Sequence, residues 1–307
     1  MASDDPGWEL FRTFRGVMKD GSLSAAARSL GLAQPTVGRH VAALERSLGL
    51  VLFTRSQAGL MPTEAAHALL PYADGMAVTA AALQRMASNQ GDRTGAGIKG
   101  TVRITASEVI GVEVLPPILA RLHEQHPGLV IELVLTSRVQ DLLRREADIA
   151  VRMTAPKHEA LVARRIGHIE VGLHAHPDYL ARHGTPRTEA ELRTHALIGF
   201  DEETPFIRSV GKALGGPRRD AFALRTDSDL AQLAAIRAGY GIGFCQVGLA
   251  RRDPLLVRVL RKRFSLPLDT WLAMHEDLRD SPRCKLVFQA LADGLSAYAV
   301  NASPVRR

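Results

Sequence analysis

Residues 22–55 read SLSAAARSLGLAQPTVGRHVAALERSLGLVLFTR. Two short helices flank a tight turn, and a hairpin follows that presents an arginine. Ser22 or Ser24 can cap the first helix, with Ala26, Ala27 and Leu30 on its inner face. Gly31 takes the turn, where a positive φ costs glycine nothing. The next helix begins near Gln34 with Pro35 in its first turn, where the missing N–H is harmless. Val37, Val41, Leu44 and Leu48 recur at helical spacing and make one apolar stripe. Gln34, Thr36, Gly38, Arg39 and His40 fall off that stripe. Glutamine pairs with adenine and arginine with guanine or phosphate, so this edge suits the major groove of DNA. Leu50, Leu52 and Phe53 then alternate toward Arg55, residues 56–59 turn, and Leu60-Met61 returns. The result is a two-stranded wing whose Arg55 and Gln57 can reach a minor groove or phosphate. This is the build of a winged helix-turn-helix; a three-helix domain with no DNA role is the plain alternative.

Upstream, Leu10, Phe11, Phe14, Val17 and Met18 give Trp8 to Lys19 helical spacing, closed by Asp20-Gly21. Downstream, Thr63 is an N-cap candidate for a helix reaching about Asn89. Leu69, Tyr72, Met76, Thr79, Leu83 and Met86 step alternately by three and four, a short heptad seam suited to pairing two subunits. An amphipathic helix packed on its own domain is the alternative. Pro71 and Gly75 lie inside it, so a kink or weak point near Pro71 is expected. Residues 90–100 hold four glycines and read as a hinge.

The run from Leu30 to Arg55 resembles the winged helix of LysR-type transcriptional regulators. In that family the residues matching Gln34, Pro35, Gly38 and Arg39 touch DNA. The chain departs from the common pattern at three places. Ala33 stands where a capping serine is frequent, Gly38 where a serine is frequent, and Ala58 where the wing often carries a second basic residue. These departures imply fewer phosphate contacts per subunit.

Beyond residue 100 the pattern changes. Thr101–Ala106, Val130–Leu135 and Asp148–Val151 read as strands, with helices at Leu115–His126 and Val139–Arg145 between them. Glu170–His174, Ile242–Cys245 and Trp271–His275 read as further strands, and Ser228–Ala238 and Leu286–Ala299 as helices. Alternation of strand and helix implies a mostly parallel sheet, and this order fits two α/β lobes with a cleft between them. The phrases at 147–152, 161–167, 176–186 and 238–244 resemble the effector-binding domain of the same family. That resemblance implies the type-2 periplasmic-binding-protein fold. It also implies a crossover, with lobe I from about 101–165 plus 270–300 and lobe II from about 166–269.

In such sheets a ligand sits at the carboxyl ends of the strands. Ser107 follows the first strand, Thr136 and Ser137 end the second, and Arg152 ends the third. Across the cleft stand Phe200, Thr226, Asp227 and Ser228. Free N–H groups at a helix start, a serine hydroxyl and a guanidinium fork together suit a small organic anion such as a carboxylate. In the bland reading the serines are helix caps, and Arg152 pairs with Glu146 or Asp148.

The 307 residues are 46% apolar and 23% charged, ordinary values for a globular chain too long for one core. No apolar run approaches the roughly 20 residues of a membrane span. The acidic start Met1–Pro6 is no secretory signal, so a cytoplasmic location is expected. Net charge is +7, yet residues 1–66 hold seven Lys/Arg against six Asp/Glu. The DNA reading therefore rests on geometry and not on charge. The run Arg251, Arg252, Arg258, Arg261, Lys262 and Arg263 reads as a solvated or subunit-facing surface. Cys245 and Cys284 form no Cys-x-x-Cys, so neither a metal site nor a disulfide framework is expected.

Catalytic patterns are lacking. His123-Glu124-Gln125-His126 is one residue short of the zinc-protease spacing, and Gly239-Tyr-Gly-Ile-Gly lacks the dinucleotide spacing and precedes a strand. Neither an enzyme nor a cofactor is expected. The domains expected are a winged helix-turn-helix (1–63), a linker helix for dimerisation (64–90), a hinge (91–100) and an effector-binding domain (101–303). The whole reads as a regulator of double-stranded DNA that works as a homodimer and homotetramer. A solute-binding module whose helical N-terminus mediates assembly, and an enzyme on a binding-protein fold, are the other classes.

Overall fold

The computed structural model describes residues 5–56, 59–88, 98–136, 147–156, 158, 160–214 and 219–302. The chain forms two compact units, one up to Ala87 and one from Ser88 onward. The second expected helix of the body, Val139–Arg145, lies outside the described residues.

The first unit opens with helices α1 (Trp8–Asp20), α2 (Leu23–Leu30) and α3 (Gln34–Leu48). Ser22 caps α2 by accepting from the Ala25 N–H at 3.1 Å. Gly31 ends that helix in the left-handed region, φ 67°. No side chain caps α3, because Ala33 has no oxygen to offer. Val37, Val41 and Leu44 are buried against Val17, Ala26 and Phe14, so the apolar stripe of α3 faces inward. Strands β1 (Phe53–Ser56) and β2 (Gly59–Pro62) pair antiparallel as the wing. Helix α4 (Glu64–Ser88) follows, capped by Thr63 Oγ1, which accepts from the Ala66 N–H. It is helical through both Pro71 and Gly75. Tyr72, Met76 and Leu83 of the expected seam are exposed, Tyr72 by 74%.

The second unit begins with strand β3 (Gly100–Ala106), a π-helical turn (Ile110–Val114), helix α5 (Pro116–Gln125) and strands β4 (Leu129–Leu135) and β5 (Ile149–Arg152). β6 (Leu161–Ala175) is long, and α6 (Pro177–His183), α7 (Glu189–Leu192), β7 (Leu197–Gly199), α8 (Pro205–Leu214) and β8 (Phe222–Arg225) follow. The chain closes with α9 (Asp229–Arg237), β9 (Gly243–Gln246), α10 (Val247–Ala250), β10 (Val257–Arg258), β11 (Ser265–His275) and α11 (Pro282–Ala302).

The sheet is not mostly parallel. In the order β10-β6-β11-β5-β3-β4, only the β3–β4 and β3–β5 pairs run parallel. β6 and β11 pair antiparallel from Leu161↔His275 to Gly172↔Ser265, and β9 and β10 join β6 antiparallel. The reason is the crossover. Two strands that pass together between the lobes, one out and one back, must run in opposite directions. Their register slips between Thr270 and Trp271, where the ladder bends.

Apolar side chains gather on either side of that crossing. One cluster joins Ile104, Ile149 and Leu272 of the sheet to Ile118 of α5 and Val287, Leu291 and Leu295 of α11. Others join Leu173, Tyr179, Leu197 and Phe264, and Ile198, Leu233, Ile236 and Leu249. Gly241 is demanded by packing, since a Cβ there would overlap the Ala196 carbonyl oxygen that accepts from the Ile242 N–H.

His174 of β6 is buried, and burial lowers its pKa from 6.5 to about 4. Its Nδ1 lies 2.9 Å from the Gly172 carbonyl oxygen. The unfolded chain therefore binds a proton that the fold refuses. Stability from this group is complete above the unfolded value and is lost as pH falls from about 6.5 toward 4. The full loss amounts to about 3 kcal/mol. Denaturant melts of the parent and His174→Gln at pH values spanning that window check it; equal pH dependence in both chains sinks the assignment.

Candidate DNA-binding helix and effector cleft

The DNA-facing candidates gather on the first half of α3. Gln34, Pro35 and Arg39 are exposed, and Thr36, Gly38 and His40 half-buried. Arg39 Nη2 donates to Thr36 Oγ1 at 3.3 Å, one turn earlier on the same edge. His40 differs from the others. Its Nδ1 meets Thr13 Oγ1 of α1 at 2.9 Å, so one side of the ring is turned inward. Arg55 stands in β1 opposite Leu60. Gln57 lies outside the described residues.

A residue that sequence reasoning missed fixes the wing to this helix. Glu45 Oε1 accepts from the N–H of Leu52 at 2.7 Å and of Phe53 at 3.1 Å. Strand β1 thus starts at a fixed distance from the last turn of α3. The spacing between Glu45 and the first strand residues gives no signal by itself, because the bond spans a left-handed turn at Gly49.

Three effector candidates stand at neighbouring strand ends. Ser107 follows β3, and its carbonyl accepts from the Gly111 N–H. Thr136 follows β4 and donates its N–H to the Ala106 carbonyl at 2.8 Å. Arg152 ends β5 and is 9% exposed. Its guanidinium does not project as an open fork in this state. Nη1 donates to the carbonyls of Thr105 and Val151, and Nη2 donates to Thr105 Oγ1 at 3.1 Å. Ser137 lies outside the described residues.

The second group stands on the other lobe. Phe200 follows β7, and Thr226 donates its N–H to the Gly199 carbonyl. Asp227 Oδ1 accepts from the N–H groups of Asp201 and Glu202 at 3.0 and 2.8 Å. Ser228 caps α9 by accepting from the Ala231 N–H. The two groups meet through Glu108, which sequence reasoning also missed. Glu108 Oε2 accepts from Ser228 Oγ at 2.7 Å and from the Leu230 N–H at 3.2 Å. Beside it, burial and the Glu108 charge push the Asp229 carboxyl up to about 6.

A cavity of about 300 Å³ lies between Met153, Ser209 and Val210 and the β11 residues Leu266 to Asp269. Among the described residues no group of three His, Cys, Asp or Glu is placed to hold a metal ion. Both cysteines are buried, and burial raises their thiols, Cys245 to about 12. Thiolate chemistry at either is therefore disfavoured.

Comparison with known proteins places this geometry. Residues 8–67 match the model of the bacterial regulatory helix-turn-helix protein, lysR family. Residues 95–296 match the LysR substrate binding domain. An HTH-type transcriptional regulator of Xanthomonas campestris pv. campestris is 34% identical over 187 residues, 61% of this chain and 53% of that protein. The regulator CrgA of Neisseria meningitidis is 30% identical over 196 residues, 63% of this chain and 64% of its own. The matched stretches thus span between about half and two-thirds of these relatives' lengths. The solved structure of CrgA superposes with a TM-score of 0.56 at 25% identity, covering 96% of this chain and 99% of that one. CbnR in complex with its target DNA gives a TM-score of 0.65 at 20% identity over 97% of this chain and 100% of that one, a likeness of fold alone.

Proposed function

The chain belongs to the LysR family of transcriptional regulators, and from that premise we propose that it binds promoter DNA and answers to a small-molecule effector. The observation that carries the DNA reading is the two-sided helix α3. Val37, Val41 and Leu44 are sunk in the core while Gln34, Pro35 and Arg39 stand exposed along one edge. In this reading Gln34, Pro35, Thr36, Gly38 and Arg39 enter the major groove, and Arg55 and Gln57 of the wing reach the backbone beside it. His40 serves on the same edge through the ring side not turned to Thr13.

Residues 1–63 form the DNA-binding domain, 64–90 the linker helix, 91–100 a hinge and 101–303 the effector-binding domain. Lobe I takes about 101–165 and 270–300, and lobe II about 166–269. The exposed Tyr72, Met76 and Leu83 of α4 support pairing of two chains along that helix, since large apolar groups on one helical face seek a partner. Two such dimers form a tetramer. The effector is a small organic anion, a carboxylate, held at the strand ends by Ser107, Thr136, Ser137 and Arg152, with Phe200 and Thr226 to Ser228 opposite. No helix among the described residues is long and apolar enough to cross a membrane, and the protein acts in the cytoplasm, as a regulator and not as an enzyme.

A gel shift with the DNA upstream of the chain's own gene tests this. Retardation that survives excess unrelated DNA is expected. Equal competition by both DNAs removes sequence-specific binding from the reading. A thermal-shift screen of carboxylates then seeks the effector, because a ligand that binds only the folded chain raises its melting temperature.

A further inference from the structure

We propose that Glu108 and Glu113 are positioning residues that set the spacing of the two lobes across the effector cleft. The proposal deepens the reading above and rests on its placing of the effector between the lobes. Both glutamates stand on the short segment after β3, and both reach the same helix, α9, on the opposite lobe. Glu108 holds the start of α9 through Ser228 Oγ and the Leu230 N–H. Glu113 holds its end, where Arg237 donates Nη1 at 2.6 Å and Nη2 at 3.3 Å to the two carboxylate oxygens. Between the anchors Val109 packs against the cluster that contains Leu233 and Ile236.

The physics differs at the two ends. At the start of a helix the first N–H groups lack helical partners and the macrodipole is positive, so a carboxylate is well placed. At the other end a two-pronged guanidinium–carboxylate contact fixes orientation as well as distance. Arg237 is itself steadied, for its Nε donates to Asp253 Oδ2 at 2.7 Å. The Glu113 and Asp253 bonds push the arginine further toward its charged form. Glu113, Arg237 and Asp253 are 21%, 31% and 15% exposed, so water screens them only partly. One anchor leaves a pivot. Two anchors about 13 Å apart, the length of a nine-residue helix, leave only the axis that joins them, and the two-pronged Arg237–Glu113 contact opposes turning about it. The chain therefore defines its cleft width before an effector arrives. An effector moves the lobes only by the difference in its affinity for the two spacings, and these contacts set the starting one.

The test measures an inter-lobe distance in the full chain without effector or DNA. Spin labels are placed by Glu124→Cys on α5 and Ala181→Cys on α6, both at exposed positions. The native thiols are buried and stay unlabelled. Labelled chain is diluted into unlabelled chain, so the distance is read within one chain. The parent is expected to give one narrow distribution. Glu108→Ala with Glu113→Ala is expected to lengthen the mean and broaden the distribution about twofold. Glu108→Gln with Glu113→Gln keeps an accepting oxygen at each site and is expected to recover much of the narrow distribution. Should the double alanine chain fail to fold, Glu113→Ala alone is read the same way. A parental distribution in the alanine chain, even with a lowered melting temperature, overturns the proposal and leaves the glutamates as local stabilisers. Because neither DNA nor effector is present, failure of the proposed function leaves this result unchanged.

Discussion

Replacing Gln34 and Arg39 together with alanine is expected to weaken binding to the natural operator by roughly 30-fold to 10⁴-fold, since each good bidentate contact to a base is worth about 1–3 kcal/mol. Both side chains are exposed, and alanine is a better helix former than either. The melting temperature should therefore hold or rise, which separates lost recognition from lost folding. Binding to unrelated DNA should fall far less than binding to the operator. A smaller slope of log K against log salt, by about one per phosphate contact removed, would assign Arg39 to the backbone and not to a base. Titration of parent and variant against the operator and a scrambled duplex at several salt concentrations reads all of this. Parental affinity in the variant would take α3 out of the groove and with it the proposed mode of binding.

Arg258→Ala is expected to destabilise the second unit by about 3–5 kcal/mol, because it leaves a buried carboxylate without its counter-charge. The side chains of Arg258 and Glu170 are only 12% and 9% exposed, and Nη2 donates to Glu170 Oε1 at 2.5 Å. Ser265 Oγ donates to the same oxygen at 2.7 Å. Burial alone would raise the Glu170 carboxyl, but the bonds from Arg258 and Ser265 outweigh it and hold the group below its ordinary value. In the parent this contribution is present above about 4.5 and fades as pH falls through the lower folded value. In the variant only the Ser265 bond and the Arg261 charge oppose burial, so the carboxyl rises relative to the parent and the deficit should shrink as pH falls and Glu170 takes up a proton. Glu170 Oε2 and Arg258 Nε and Nη1 are buried without hydrogen-bond partners among the described residues. The pair is therefore poorly compensated, and Glu170→Leu with Arg258→Met should come close to parental stability. Urea melts of the single and double variants at neutral and acid pH decide the matter. A loss under about 1 kcal/mol for Arg258→Ala would mean that water reaches the pair.

The first unit was legible because its signals are local. The helical spacing of Val37, Val41 and Leu44, the left-handed Gly31, the Ser22 cap and the Thr63 cap each act within a few residues, and each appears where its pattern lies. The second unit hid its crossing strands. β6 passes from exposed residues at Ala163, Arg164 and Arg165 to buried ones near Leu173, so no single alternation runs along it. β11 shows the same change about Thr270, and only its last five residues read as a strand. Partners far apart in sequence left still less trace. Glu108 meets a helix start 120 residues away, a separation that no spacing rule covers. Arg258 sits among exposed arginines in sequence, and only the fold reveals that its side chain is largely covered while Arg251 and Arg252 stand exposed.

The pairing of β5 with the far half of β11 bears on how the protein is made. Ala150 and Val151 find their partners at Ala273 and Leu272, and the hydrophobic floor beneath them needs α11. The lobe whose strands leave the ribosome first is thus the one finished last. At about 5–20 residues per second the wait between Arg152 and Trp271 is on the order of ten seconds. Throughout it β5 offers a bare edge to any neighbouring strand, a hazard that a chaperone can cover but that the nascent chain cannot.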